Sequence, residues 1–127
     1  MDFATLDTKT PAEAGAFLHL RHPALGHLLY DGEKPVGLMV RGTESKTAQD
    51  RLKAVQRDRM KGDKEGDGLA FVCSLVIGFQ GVERDGKAVD ATDANVRWFF
   101  GLSDGFVEQV VTFASDRASF FKPASRD

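Results

Sequence analysis

Four groups of residues in this chain have the types and spacing to do chemistry. Gly101-Leu102-Ser103-Asp104-Gly105 matches G-x-S-x-G, the spacing of a serine-hydrolase nucleophile elbow. An elbow needs a strand before the serine and the triad histidine after it in chain order. Here a helix-like segment precedes Ser103, and His19, His22 and His27 all lie upstream. The pentapeptide reads instead as a break between two helices, with Ser103 or Asp104 as a cap. The three histidines invite a metal. A hairpin loop over residues 23–26, however, would set His22 opposite His27 and Leu20 opposite Leu29, and would send His19 to the other face. Three ligands then fail to converge. Structural or surface histidines are expected, with a weakly pH-sensitive pair at His22 and His27 as the most they offer.

Asp63-Lys64-Glu65-Gly66-Asp67-Gly68 resembles the start of a calcium loop. Its twelfth position should be a bidentate glutamate and is Ser74, so a solvated acidic loop is expected. Gly78-Phe79-Gln80-Gly81 has the spacing of an RNA-gripping loop but no basic residue. It reads as the end of an apolar helix. No P-loop, dinucleotide fingerprint or CxxC pair occurs. Nothing in this inventory gives a reaction; no cofactor and no metal are expected, and Ser103 alone keeps an enzyme open.

The elements that carry these residues follow from composition and period. A length of 127 residues suggests one domain, long enough to bury roughly two-thirds of its unfolded surface. Its 42% apolar and 28% charged residues are those of a soluble globular protein. A net charge of −2 argues against a dedicated nucleic-acid binder. Cys73 is the single cysteine, which excludes an internal disulfide and suits a small buried hydrophobe. The start lacks the basic and apolar regions of a signal peptide. The longest apolar run, residues 69–79, falls short of the roughly 20 residues that span a bilayer. A cytoplasmic setting follows as the default.

Residues 1–15 read as an arm, ordered only if something covers it, and residues 122–127 as a flexible tail. Segments 17–20, 27–30 and 36–40 read as three strands of an antiparallel meander. Asp31-Gly32 marks the second turn. From Thr43 the period changes: Thr43 or Ser45 can cap a helix through Ala48, Leu52, Val55 and Met60. Its outer side is basic, and Lys53, Arg57 and Lys61 share one face. That face reads as solvated, with docking of an acidic partner as its functional use. The apolar run 69–79 is expected to be one buried helix, and Asp85-Gly86 the turn of a small hairpin. Thr92 or Asp93 caps a helix over 94–100. From Phe106 the apolar residues recur at steps of three and four, predicting a helix that stops near Phe121, before Pro123. The fold class expected is α+β, with the N-terminal meander packed against a helical C-terminal part. Seven of the twelve aromatics lie in residues 95–121, the expected core element.

Several short pieces recur together in one known family. They are the lead-in Thr10-Pro11-Ala12-Glu13-Ala14-Gly15-Ala16, then Asp31-Gly32-Glu33-Lys34-Pro35, the run ending Val76-Ile77-Gly78-Phe79, and Thr92-Asp93-Ala94-Asn95-Val96-Arg97. The chain closes with Phe106-Val107-Glu108-Gln109-Val110 and Ser115-Asp116-Arg117-Ala118-Ser119-Phe120-Phe121. Their order resembles the tail assembly chaperones of long-tailed bacteriophages and prophages. The resemblance implies a protein of the host cytoplasm without catalytic residues. It implies binding to the tape measure protein during tail-tube assembly, with the tail tube protein as a further partner. The net charge and the short apolar run leave no nucleic-acid and no membrane partner expected, and a homo-oligomer stays open. The alternative is a small structural virion component at the tail or head–tail junction. A client of amphipathic helices calls for an aromatic groove with a polar rim. Trp98, Phe99, Phe106, Val110, Phe113, Phe120 and Phe121 are the candidates, each of which core packing would also explain.

Overall fold

Three antiparallel strands carry the helices of this α+β chain, whose computed structural model describes residues 1–60 and 68–121. Strand β1, Ala16–His19, is followed by a two-residue hairpin, β2 (Tyr30–Asp31) and β3 (Lys34–Pro35), and then by β4, Gly37–Val40. Strand β1 pairs directly with β4, from Ala16 opposite Val40 to His19 opposite Gly37. The third strand is not the 27–30 segment. It is β5, Val76–Gln80, on the far side of β4, so the sheet order is β1-β4-β5 rather than a meander of consecutive strands.

The displaced segment is held by a three-way closure. Leu20 N–H donates to Val36 O, Val36 N–H to Leu29 O and Leu29 N–H to Leu20 O, each at 3.0 Å. Beyond it the chain turns as expected, with His22 N–H donating to His27 O at 2.8 Å. The His22 and His27 rings lie 5.3 Å apart. His22 Nδ1 accepts from the backbone N–H groups of Ala24 and Leu25. His19 turns the other way, with Nε2 2.7 Å from Leu29 O and its ring edge-on to Tyr30. His22 thus holds its turn, and His19 ties β1 to Leu29.

The apolar run splits where a single helix was expected. Helix α3, Gly68–Ser74, ends as the Ser74 hydroxyl donates back to Phe71 O, and β5 begins at Val76. The reason is local. Leu69 and Ala70 favour helix, whereas the β-branched pair Val76-Ile77 and then Gly78 do not. Hydrophobicity is uniform across the junction and cannot mark it. Gly78 accordingly lies in a strand rather than at a helix end, and Gly81 follows that strand with φ +73°.

Helix α2, Lys46–Met60, starts at Ser45, whose buried hydroxyl accepts from Ala48 N–H at 3.2 Å. Ala48 and Val55 face inward. The predicted hairpin forms as β6 (Glu83–Arg84) and β7 (Lys87–Ala88), with Asp85 and Gly86 at φ 53° and 79°. Both central residues of such a turn need positive φ, which is why Asp-Gly suits it. Helix α4, Asp93–Leu102, is capped by Thr92, and α5, Asp104–Ser115, by Ser103. The last helix stops six residues before the expected end at Phe121. Asp116 is extended and accepts from Ala118 N–H, which starts a separate 3-10 turn, Arg117–Ser119. That turn swings Phe120 inward against Phe113.

Part of the segment expected to be an arm is built into the body. Helix α1, Lys9–Ala14, buries Ala12, and Ala12 O accepts from Gly42 N–H at 2.9 Å. Glu13 supplies a cap to α2 from a distance: its carboxylate accepts from Thr47 N–H at 2.9 Å and Thr47 Oγ1 at 2.7 Å, and pairs with Arg41 Nε at 3.2 Å. Those contacts, Thr47's first and Arg41's after them, hold its carboxyl below the ordinary 4.5. A depressed carboxyl contributes stability above its unfolded pKa and loses it as pH falls through the folded value. Docking of α1 is therefore expected to weaken below about pH 4.5. Glu13→Gln should remove most of that acid sensitivity and cost about 1 kcal/mol or less, because the side chain is 38% exposed. Urea melts at pH 7 and pH 3.5 check this. Equal acid sensitivity in both proteins would place the loss elsewhere.

Phe99, Phe100, Val96, Val110 and Ala114 from the last two helices meet Leu38, Val40 and Val76 of the sheet and Cys73 and Leu75 beside it. Thr43 N–H donates to Ala114 O at 2.9 Å, tying α5 to the loop that enters α2.

Candidate functional site

The aromatic residues of the C-terminal segment divide between interior and rim. Phe99 is 2% exposed and stacks on Phe106 with centroids 4.5 Å apart, with Phe79 and Phe100 against its edges. Val110 and Phe120 are also buried. For these three the structure shows the core packing that was the alternative to partner contact. Trp98, Phe106, Phe113 and Phe121 are half-buried. Trp98 lies under the Arg84 guanidinium, 4.9 Å from the ring centroid. Phe113 packs against Phe120, and Phe106 against Phe99. Lys53 and Arg57 are exposed on α2, and Lys61 lies outside the described residues, as does most of the acidic 63–68 loop.

Ser103 serves as the cap of α5: its Oγ accepts from Gly105 N–H at 3.1 Å. The residues before it are helix α4 rather than a strand, so the backbone of an elbow is missing. Ser103→Ala is expected to cost about 1 kcal/mol through the lost cap. A urea melt measures it, and an unchanged midpoint would remove the cap from the account.

One concavity among the described residues lies between β1 and α5. This open groove has a volume of about 580 Å³. Leu18 and His19 line one side, and Glu108, Gln109, Thr112, Phe113 and Asp116 the other. Their spacing along α5 is that of one helix face. Gln109 crosses between the walls: its Oε1 accepts from Arg21 N–H at 2.8 Å and its Nε2 donates to Arg21 O at 3.0 Å. This fixes the 20–29 excursion to the helix. At the same end Gly105 packs close to Pro23, where a Cβ would come within 2.9 Å of Pro23 Cβ. Leu18 and Phe113 make the groove apolar at depth, while Glu108 and Asp116, both exposed, make its helix wall acidic.

Among the described residues the sheet edge beside this groove is unpaired. Backbone groups in a strand point alternately to its two neighbours. Leu20 N–H points toward Val36, so Leu18 and Ala16 face β4 in the same way, and Phe17 and His19 direct their N–H and C=O outward. Among the described residues nothing bonds those groups.

Glu108, Gln109 and Asp116 fall off the apolar period that starts at Phe106, on the other face of the helix. Their spacing marks a polar stripe but does not say that a strand edge lies opposite. The arrangement can hold a chain by backbone hydrogen bonds and charge. No helix among the described residues is long and apolar enough to cross a membrane. No protein-family model, curated protein or solved structure matches this chain.

Proposed function

We propose that this chain is a protein-binding component of phage tail assembly, acting as a non-enzymatic tail assembly chaperone toward the tape measure protein in the host cytoplasm. The observation that carries the reading is the outer face of the sheet. Phe17, Met39 and Ile77 stand there half-exposed, Met39 at 37% and Ile77 at 38%, with Tyr30 at 56% beside them. Contiguous apolar surface of this kind marks contact with another protein. The sequence resemblance supplies the client class, a long chain of amphipathic helices that stays insoluble until the tail tube encloses it. Lys53 and Arg57 offer a basic stripe that would steer an acidic stretch of such a client.

Co-expression with the longest helical open reading frame of the neighbouring genome, followed by affinity pull-down, tests the reading. The expected result is a soluble complex containing a partner that is insoluble alone. Failure to form one, together with recovery of this chain from purified particles, would overturn it in favour of a structural virion component.

A further inference from the structure

We propose that the groove between β1 and α5 takes an extended peptide as a fourth strand, one in which apolar residues alternate with lysine or arginine. The inference rests on the protein-binding reading above and gives it a site and a ligand chemistry.

The open edge is the first observation. Phe17 and His19 present two N–H donors and two C=O acceptors in one line, and strand addition satisfies such a row. Gln109 is the second. Its primary amide makes a paired donor and acceptor contact with Arg21, as a peptide group of a neighbouring strand would. Arg21 lies farther along the same edge and points the same way. The edge that faces α5 therefore already binds one peptide-like group in strand geometry. Gln109 also marks where an added strand must end. From Gln109 to Asp116 the helix rises about 10 Å, which is room for about three extended residues.

Charge and depth set the side chains. Residues of the added strand that point toward α5 meet Leu18 and Phe113 at depth, with Glu108 and Asp116 on the wall. A long aliphatic stem ending in a cation fits that gradient, with the stem on the apolar floor and the charge at the carboxylates. Residues pointing the other way extend the outer face made by Phe17 and Met39, where apolar side chains fit.

The test uses the full chain and a fluorescein-labelled, N-acetylated octapeptide alternating valine with lysine, read by fluorescence anisotropy. A valine–glutamate octapeptide should bind at least tenfold more weakly. Two further probes carry N-methyl groups on alternate residues, one in each register. Only the probe that blocks the N–H groups facing β1 should lose binding. Glu108→Lys should weaken the valine–lysine probe at least fivefold with its thermal unfolding unchanged. Equal binding of the lysine and glutamate peptides, equal effects of the two N-methyl registers, or an indifferent E108K variant would each overturn the proposal. So would concentration-dependent dimerisation in sedimentation that the probe fails to dissociate, since a second copy would then own the edge. Failure here and failure of the broader reading separate cleanly. A client complex that survives E108K and resists competition by the probe removes the groove and leaves the client reading. Register-specific peptide binding without any client complex does the reverse.

Discussion

Phe99→Ala is expected to cost about 3–5 kcal/mol, the largest loss from any single truncation in this chain. The ring is 2% exposed and meets three other rings: stacked on Phe106 at 4.5 Å, edge-on to Phe79 at 5.5 Å and tilted to Phe100 at 5.4 Å. It thus links α4 to α5 and both to β5. Removing it leaves a void whose lining comes from three elements fixed by their own hydrogen bonds, so the site cannot collapse to fill it. A domain is stable by only about 5–15 kcal/mol in total. The variant should unfold at a much lower urea midpoint, and a fraction of it should be unfolded before any denaturant is added. Val111→Ala on the same helix pair, 37% exposed, is the control and should cost under about 1 kcal/mol. A loss of under about 1.5 kcal/mol at Phe99 would mean that the aromatic cluster is not the centre of the core.

How far the sequence led can be judged element by element. The starts of α2, α4 and α5 were legible because a serine or threonine cap is a local chemical choice, and Ser45, Thr92 and Ser103 each make the bond their type suggests. The Asp85-Gly86 turn was legible for the same reason. The end of the last helix was not. Asp116 competes for the backbone as a new cap, and an apolar period that continues past it hides the break. The division of residues 69–79 into α3 and β5 was hidden by uniform hydrophobicity. The order of the sheet was hidden by distance, since β4 finds its second partner beyond α2 and α3. Those two misses have one consequence for function. The sequence points to the aromatics of the C-terminal helices as a binding surface, where packing against β5 consumes Phe99, while the groove depends on a strand edge facing Gln109 from the far end of the chain.

That edge depends in turn on a glycine, and Gly37→Ala is the second large effect expected. A Cβ at this position would lie 2.1 Å from Leu18 O and 2.6 Å from Phe17 Cζ. The ring could swing aside, but the carbonyl belongs to the β1 backbone and can recede only if β1 parts from β4. Overpacking of this kind costs about 1–3 kcal/mol, and a backbone clash belongs at the upper end. Gly78→Ala in the adjacent strand is the matched control. A Cβ there meets nothing within 4 Å, so its effect should be close to neutral. In hydrogen exchange, the Leu18 and Leu38 amides should lose protection in the Gly37 variant and keep it in the Gly78 variant. Because β1 forms one wall of the groove, the Gly37 variant should also bind the valine–lysine probe less tightly, whereas the Gly78 variant should bind as the parent does. If the two alanine variants melt alike, the close approach of β1 to β4 is not what sets the sheet edge, and strand addition at Phe17 and His19 loses its structural basis.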